Sequence, residues 1–207
     1  MRGEDGQPAH GMDAVRYHVA LLTLVTFIPG ILFWSFAHGL VHRWRQLGLV
    51  ISYSALGAVL IVIGAGVFVL RQTLLAVDFG PPGWLGWPAL LCFAAAVVVE
   101  VQCRKHLTLR TLVGIPELSP TPTSQPLLDQ GIYARLRHPR YVVVILSVFA
   151  LALFTNYPAV YLLCPLAGVV LYGITLMEER ELVERFGQAY EQYQRRVPRF
   201  IPKIPKR

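Results

Sequence analysis

The chain has 207 residues, of which 55% are hydrophobic and only 15% are charged. Soluble domains carry about 25% charged residues, so the composition excludes a single water-soluble globule. The net charge of +7 lies in the segments between apolar runs, which favours membrane lipids over nucleic acid as the partner. We therefore predict an all-α polytopic membrane protein, with a single integral membrane domain over residues 1–207.

Five apolar segments are long enough to cross a bilayer, which takes about 17 to 25 helical residues. The predicted spans cover residues 17–40, 49–70, 83–101, 139–155 and 157–177. We expect a polar tail at residues 1–16, which show no signal-peptide pattern. Pro29 lies inside the first span and predicts a kink there, because membrane helices tolerate proline.

Residues 178–207 are predicted to form a cytoplasmic amphipathic helix and a basic tail. Leu182, Phe186, Tyr190 and Tyr193 recur at helical spacing and form one apolar face, while charged residues form the other. We expect the apolar face to lie on the protein or on the membrane surface.

The distribution of basic residues predicts the orientation. Of the 19 Lys and Arg residues, 16 lie in the first-second loop, the third-fourth loop or the C-terminal segment. Basic loops face the cytoplasm, so the N-terminus is predicted outside and the C-terminus in the cytoplasm. Arginine outnumbers lysine 16 to 3, as in many GC-rich bacterial sequences, so we expect a bacterial plasma membrane.

The fourth and fifth spans are predicted to form a helical hairpin. One charged cluster precedes the fourth span and another follows the fifth. The motif GIYARLRHPRY, residues 131–141, leads into the fourth span, and Glu178, Glu179 and Glu181 follow the fifth. Each helix is about 26 to 30 Å long, so the two clusters meet at one membrane face. Proline favours the first helical turn and disfavours helix in the residue before it, which predicts His138 as the N-cap.

These clusters suit either a ligand or a structural ion pair. The helix N-terminus and Arg137 attract a carboxylate or phosphate, and Glu178 attracts an ammonium or sulfonium, so a zwitterion fits both. Alternatively, Arg137 and Glu178 form an interfacial salt bridge that holds the hairpin together. Tyr133 and Tyr141 flank the cap, where they either close over a cationic ligand or anchor the interface.

The long polar stretch 102–138, with a Pro/Ser/Thr-rich centre, is either a flexible linker or a cover over this polar end. No metal site is predicted, because no set of potential ligands has metal-binding spacing, and no nucleophile motif is present. Cys92, Cys103 and Cys164 fit neither a disulfide framework nor a metal site.

At these residues the sequence resembles a known family. GIYARLRHPRY, NYP at 156–158, EERELVERFGQAYEQY at 178–193 and VPRFIP at 197–202 are similar to the C-terminal half of certain membrane methyltransferases. These are typified by isoprenylcysteine carboxyl methyltransferase and the bacterial phospholipid methyltransferase-like proteins. The resemblance covers about residues 125 to 202. It implies S-adenosylmethionine as cofactor on the cytoplasmic side, and a lipophilic acceptor that enters from the bilayer.

The resemblance also implies which residues contact the cofactor. By position these are Gln125, Leu127, Leu128, Tyr133, His138, Pro139, Tyr141 and Glu178. Gln125 stands where many members have histidine. Ile174 stands where the prenylcysteine enzymes have an arginine that contacts the substrate, so a carboxylate acceptor needs a substitute such as Arg137, Arg196 or Arg199.

The leading hypothesis is S-adenosylmethionine-dependent methyl transfer to a lipophilic acceptor, an isoprenylcysteine carboxylate or a related isoprenoid or lipid. Arg137, Glu178 and Glu181 are the candidate catalytic residues, and either glutamate is a candidate base for an amine acceptor. One alternative is an NADPH-dependent sterol-type membrane reductase, since those enzymes carry a similar HPxY hairpin. The other is a non-catalytic membrane scaffold. The sequence leaves the oligomeric state open.

Overall fold

The structure is a computed structural model that describes residues 9–107 and 126–202. Gln125, one of the expected cofactor contacts, and most of the polar stretch before it lie outside the described residues. Within the two described ranges the chain forms helices and no β-strand, which confirms the predicted all-α class.

The first half of the described chain contains two long helices that pack together. They are α1 (Ala9–Gly39) and α3 (Leu49–Val69), joined by the short α2 (Val41–Leu47), and a single turn, α4 (Arg71–Leu74), follows. Helix α1 continues through Pro29 without a break. Gly48 reverses the chain between α2 and α3 with a φ of 80°, a conformation that favours glycine.

The second half contains α5 (Gly86–Arg104), α6 (Pro139–Thr155), α7 (Pro158–Phe186) and α8 (Gln188–Arg196). Short 3₁₀ turns at Gly83–Leu85 and Gly131–Ala134 precede α5 and α6. Helix α6 lies at the centre of the bundle, because it packs against α5, α7 and α1. Helices α6 and α7 form the predicted hairpin.

Within residues 9–107 and 126–202, four helical segments are long and apolar enough to cross a membrane. They are Gly11–Phe36, Leu49–Val69, Gly83–Arg104 and Pro158–Phe186. The fifth predicted span, α6, is apolar but has only 17 residues, about 26 Å of helix, which lies at the short end for a bilayer. Trp84 and Trp87 at the start of α5 are more than three-quarters exposed, as expected for aromatic residues at the lipid headgroups.

Two boundaries differ from the predictions. Helix α1 begins at Ala9, within the segment expected to be a polar tail. The C-terminal amphipathic segment is divided, because α7 continues to Phe186 and α8 begins only at Gln188. Gly187 between them has a φ of 54°, which residues with side chains rarely adopt, so the helix breaks there.

A polar cluster around Arg16 explains the early start of α1. The Arg16 side chain is fully buried, and its guanidinium bonds to Asp78 and to Asp13. It also donates to the Thr155 carbonyl at 3.0 and 2.8 Å, at the turn between α6 and α7. A buried charge is tolerated only when it is paired, so this cluster fixes the first turns of α1 against the hairpin turn.

Replacing Asp78 with alanine tests the cluster. Loss of the Asp78 carboxylate leaves the buried Arg16 short of a partner, which we expect to destabilise the protein by roughly 1–3 kcal/mol. The measurement is thermal unfolding of the detergent-purified protein. Asp13→Ala is the control, because Asp13 is 46% exposed and one helical turn from Arg16, and it should have the smaller effect. Equal effects of the two variants would contradict the assignment.

Candidate functional site

The site begins at the N-terminus of α6. His138 occupies the N-cap position and Pro139 the first turn, as predicted from the HP sequence. The His138 side chain makes no capping hydrogen bond, because its imidazole is directed to the glutamates at the end of α7. The predicted return of the two charged clusters to one end of the hairpin is therefore present in the structure.

The centre of the charged cluster is Glu179, whose carboxylate is buried. Arg199 donates to both of its oxygens, from Nε at 3.0 Å and from Nη2 at 2.7 Å. His138 Nε2 lies 3.0 Å from Oε1. Arg137 Nη1 also lies 2.7 Å from Oε1, as an ion pair whose angles do not meet hydrogen-bond geometry. Two arginines and a histidine thus surround one carboxylate.

The structure corrects the predicted partner of Arg137. The sequence suggested a salt bridge to Glu178, whereas the ion pair seen is with Glu179. Consecutive helical residues point about 100° apart, so only one of two adjacent glutamates continues the buried face. Glu179 is buried, whereas the side chain of Glu178 is 31% exposed, so Glu179 is the one that continues the buried face.

Glu178 faces a different environment. It accepts a hydrogen bond from the Tyr141 hydroxyl at 2.8 Å, and its Oε2 lies 3.4 Å from His138 Nδ1. Its side chain is 31% exposed and lines a cavity. The His138 and Tyr141 rings stack with their centroids 5.6 Å apart, so both groups that orient Glu178 are themselves held in place.

His138 connects the two glutamates, since each of its ring nitrogens faces one carboxylate. Only the protonated imidazolium has a donor on both nitrogens. Burial favours the neutral ring, but the carboxylates of Glu178 and Glu179 outweigh it and raise the pKa of His138 above its ordinary value of 6.5.

The C-terminal segment completes this end of the molecule. The backbone N–H groups of Arg137 and His138 donate to the carbonyls of Pro198 and Arg199, at 2.9 and 3.1 Å. The Tyr193 hydroxyl donates to the Tyr133 carbonyl at 2.7 Å, which ties α8 to the turn before α6. The predicted apolar face of the C-terminal helix therefore lies against the protein.

The turn before α6 depends on a glycine. Gly131 has a φ of 60°, and a Cβ at this position would collide with the His106 imidazole beyond the end of α5. The absence of a side chain thus allows the two ends of the polar stretch to approach each other. Tyr133, two residues later, is buried with Cys103 of α5.

A cavity of about 460 Å³ lies between these elements. Its polar lining comes from the base of the hairpin and from α8, and includes Arg137, His138, Tyr141, Glu178, Tyr190 and Tyr193. Within the part of the chain that the structure describes, Arg137 Nε and the Tyr190 hydroxyl are buried and make no well-aligned hydrogen bond, although the two side chains lie close enough to interact with each other. Both residues line the cavity, where a polar ligand would offer them further partners.

Most of the predicted site residues line this cavity together. They are Leu127, Leu128, Tyr133, Arg137, His138, Pro139, Tyr141 and Glu178. Glu181 is not among the lining residues. Leu107 and Pro126–Leu128 also line the cavity. The polar stretch 102–138 therefore contributes to the lining from both of its described parts.

The sequence analysis missed two groups of lining residues. Tyr190 and Tyr193 were assigned only to the apolar face of a helix, although a tyrosine on such a face carries a hydroxyl that needs a partner. The sequence did not identify the lining residues of α1, such as Gly30 and Trp34, because they have the same apolar character as the rest of that span.

Among the described residues no cluster suits a metal ion.

Residues 86–189, half of the chain, match the family model described as phospholipid methyltransferase. The chain belongs to the phospholipid methyltransferase family. This confirms the resemblance predicted from the motifs. The family region contains α5, α6, α7 and the glutamates of the site, whereas α1 and α3 lie outside it.

Several proteins of known name are similar in sequence to this chain. Methanethiol S-methyltransferase 2 of Bradyrhizobium diazoefficiens is 32% identical over 128 residues, which are 58% of this chain and 44% of the relative. Protein-S-isoprenylcysteine O-methyltransferase of Schizosaccharomyces pombe is 39% identical over 88 residues, 38% of this chain and 34% of the relative. Cobalt-zinc-cadmium resistance protein CzcN of Cupriavidus metallidurans is 28% identical over 151 residues, 69% of this chain and 64% of the relative.

The matches to the two methyltransferases span less than half the length of those relatives. No solved structure matches the chain.

Exchanging the buried glutamate tests its structural role. Glu179→Gln leaves Arg137, which is only 10% exposed, without its carboxylate, and should destabilise the protein by about 3–5 kcal/mol. Glu178→Gln is the matched comparison on the neighbouring residue and should cost less, about 1–2 kcal/mol, because the Glu178 carboxylate is 31% exposed and contacts Tyr141 and His138 but no arginine of the buried cluster. Chemical unfolding in detergent, followed by circular dichroism, measures both. A larger effect of Glu178→Gln would overturn the assignment.

The raised pKa of His138 predicts a pH dependence of stability. A group whose pKa is higher in the folded state stabilises the fold fully below its unfolded value, near 6.5 here, and this contribution is lost as the pH rises through the folded value. We expect the melting temperature of the wild type to fall more steeply than that of His138→Gln as the pH rises above 6.5. Parallel curves for the two proteins would show that His138 is not charged in the folded state.

Proposed function

We propose that this chain is an S-adenosylmethionine-dependent methyltransferase that acts on a lipophilic acceptor in the membrane. The observation that carries the proposal is the charge arrangement of the cavity. The Glu178 carboxylate lines the same cavity as Arg137 and Tyr190, whose Nε and hydroxyl make no well-aligned hydrogen bond among the described residues.

The residues present suit the methyl donor. Its amino acid end is a zwitterion, and Arg137 and Tyr190 supply donors for a carboxylate, while Glu178 supplies an acceptor for an ammonium. Leu127, Leu128 and Tyr133 add apolar surface for the rest of the molecule. A volume of about 460 Å³ lies in the range of small-molecule sites, which is about 300–1,000 Å³.

When bound, S-adenosylmethionine supplies a methyl group on a positively charged sulfur, which keeps the electron pair and becomes a neutral thioether after transfer. The protein binds the two reactants, orients them and excludes water from the site. Glu178 is oriented by Tyr141 and His138, and Arg137 by Glu179, so the polar groups are fixed before a ligand binds. Orientation of two reactants can contribute roughly 7–11 kcal/mol in well-aligned cases.

Of the two candidate general bases, the cavity lining favours Glu178 over Glu181. Within the described part of the cavity lining, Glu178 is the one carboxylate, since Glu179 is buried among cations and Glu181 does not line the cavity. An amine acceptor, which must lose a proton, would therefore depend on Glu178. A thiolate or carboxylate acceptor needs no base.

The relatives support an apolar acceptor. One is named for isoprenylcysteine and another for methanethiol. Ile174, which replaces the substrate-contacting arginine of the prenylcysteine enzymes, is 1% exposed within an apolar cluster. We therefore propose an isoprenoid or other lipid acceptor, with recognition of a carboxylate left to the arginines at the polar end of the cavity.

We also propose that the site opens to the cytoplasm of a bacterial cell. The α2 segment between the first two spans, the segment between the third and fourth spans and the C-terminal segment share one side of the predicted topology, and 16 of the 19 Lys and Arg residues fall there. A soluble methyl donor is available on that side, and anionic lipids are attracted to it.

Calorimetry on the detergent-purified protein tests the proposal. The wild type should bind S-adenosylmethionine, and Glu178→Gln should weaken binding roughly 10- to 100-fold, because a charge-assisted hydrogen bond contributes about 1.5–3 kcal/mol. Glu184→Gln, an exposed carboxylate on the same helix, is the control and should bind normally. Binding of NADPH instead would favour a reductase, and binding of neither ligand would favour a scaffold.

A further inference from the structure

The cavity has an apolar part beyond its polar end. Leu171 lies seven residues before Glu178 on α7, about 10 Å further along the helix. The lining residues that form one cluster with Leu171 come from α1 and α6 and are all uncharged: Phe27, Ile31, Trp34, Val144 and Tyr141, the last of which also belongs to the polar end. Beyond Tyr141, this apolar compartment has no group that would hold the polar ends of the methyl donor.

Helix α1 supplies most of this wall. Phe27, Gly30, Ile31 and Trp34 recur at spacings of three and four residues, so they form one face of the helix. Behind them, α3 supports α1 at another face, where a Cβ on Gly64 would lie 3.7 Å from Val25 and 3.9 Å from Pro29. Helix α1 therefore packs against α3 on one face and borders the cavity on another.

Gly30 leaves a gap in the side chains of this wall. It lines the cavity, and a Cβ built on it would meet no atom within 4 Å. The first carbon of a side chain at this position would therefore extend into open space. The absence of one leaves that width available to a ligand.

This wall lies outside the region shared with the family. The family model covers residues 86–189, which include the glutamates of the site, whereas α1 ends at Gly39. Most of the polar end, apart from Tyr190 and Tyr193, thus comes from the shared region, and the apolar compartment comes largely from a helix that the family model does not include. Such a division allows one donor site to serve different acceptors.

We infer that the Phe27–Trp34 face of α1 is the wall of the acceptor compartment, and that Gly30 sets the width of the uncharged apolar chain that the compartment admits. This inference rests on the proposed methyl transfer, because it assigns the apolar part of the cavity to the second substrate. It adds a specificity-determining residue in a helix for which the sequence motifs predicted only a membrane span.

Acceptor-length dependence tests the inference. The probes are straight-chain alkanethiols from methanethiol to dodecanethiol, with labelled S-adenosylmethionine as donor. Gly30→Leu should lower kcat/KM for the long thiols on the order of 10- to 200-fold, as expected when apolar space is filled, and change that for methanethiol by less than about threefold. The affinity for S-adenosylmethionine, measured by calorimetry, should stay the same.

Gly57→Leu is the matched control, since Gly57 lies on α3, also has no atom within 4 Å of a Cβ, and does not line the cavity. It should leave the length dependence unchanged. An equal loss for all thiols in Gly30→Leu, or no loss for the long ones, would overturn the assignment of Gly30.

A second measurement separates this inference from the proposed function. An alkanethiol that carries a photoreactive diazirine is cross-linked to the protein without the methyl donor, and the labelled peptide is identified by mass spectrometry. Labelling of residues 27–34 that is lost in Gly30→Leu and kept in Gly57→Leu supports the compartment, even if the wild type fails to bind S-adenosylmethionine. Labelling confined to other helices, or equal in both variants, overturns it.

Discussion

The buried carboxylate of Glu179 holds together three parts of the chain that are far apart in sequence. Arg137 and His138 bring the start of α6 to it, and Arg199 brings the C-terminal segment. Removing charges from water costs several kcal/mol per ion, so the cluster is favourable only when its partners are all in place. The hairpin base and the C-terminal segment are therefore positioned jointly, and the polar end of the cavity depends on this one interaction.

Two adjacent glutamates have different environments because an α-helix turns about 100° per residue. Glu179 lies inside the protein among cations, and Glu178 lies at the cavity with a tyrosine and a histidine. His138 contacts both, so the charge state of the structural cluster and the orientation of the cavity carboxylate are linked through one imidazole. This arrangement lets the strongly paired group provide rigidity while its neighbour remains available to a ligand.

The sequence predicts those features that depend on local chemistry. The His138 cap follows from the proline after it, and the hairpin follows from helix lengths, which place the two charged clusters at one end. Choosing Glu179 over Glu178 as the partner of Arg137 requires knowing which side of α7 is buried, and the apolar residues of a membrane helix lie on all sides. The burial of Arg16 was likewise hidden, because its partner Asp78 is 62 residues away.

The same limit explains why α1 gave no indication of a role in the cavity. In a soluble helix the buried face is marked by a contrast between apolar and polar residues, but a membrane helix is apolar towards lipid as well as towards protein. Gly30 is therefore indistinguishable in sequence from glycines such as Gly57, and only the three-dimensional arrangement shows that one of them borders a cavity.

The backbone hydrogen bonds from Arg137 and His138 to Pro198 and Arg199 have a consequence for biosynthesis. The helices can enter the bilayer one after another as they leave the ribosome, but the polar end of the cavity cannot assemble until Arg199 has been translated. A chain that stops before that point would contain the α6–α7 hairpin, yet Glu179 would lack the two hydrogen bonds from Arg199. The hairpin base therefore reaches its final charge balance only after α8 has been made.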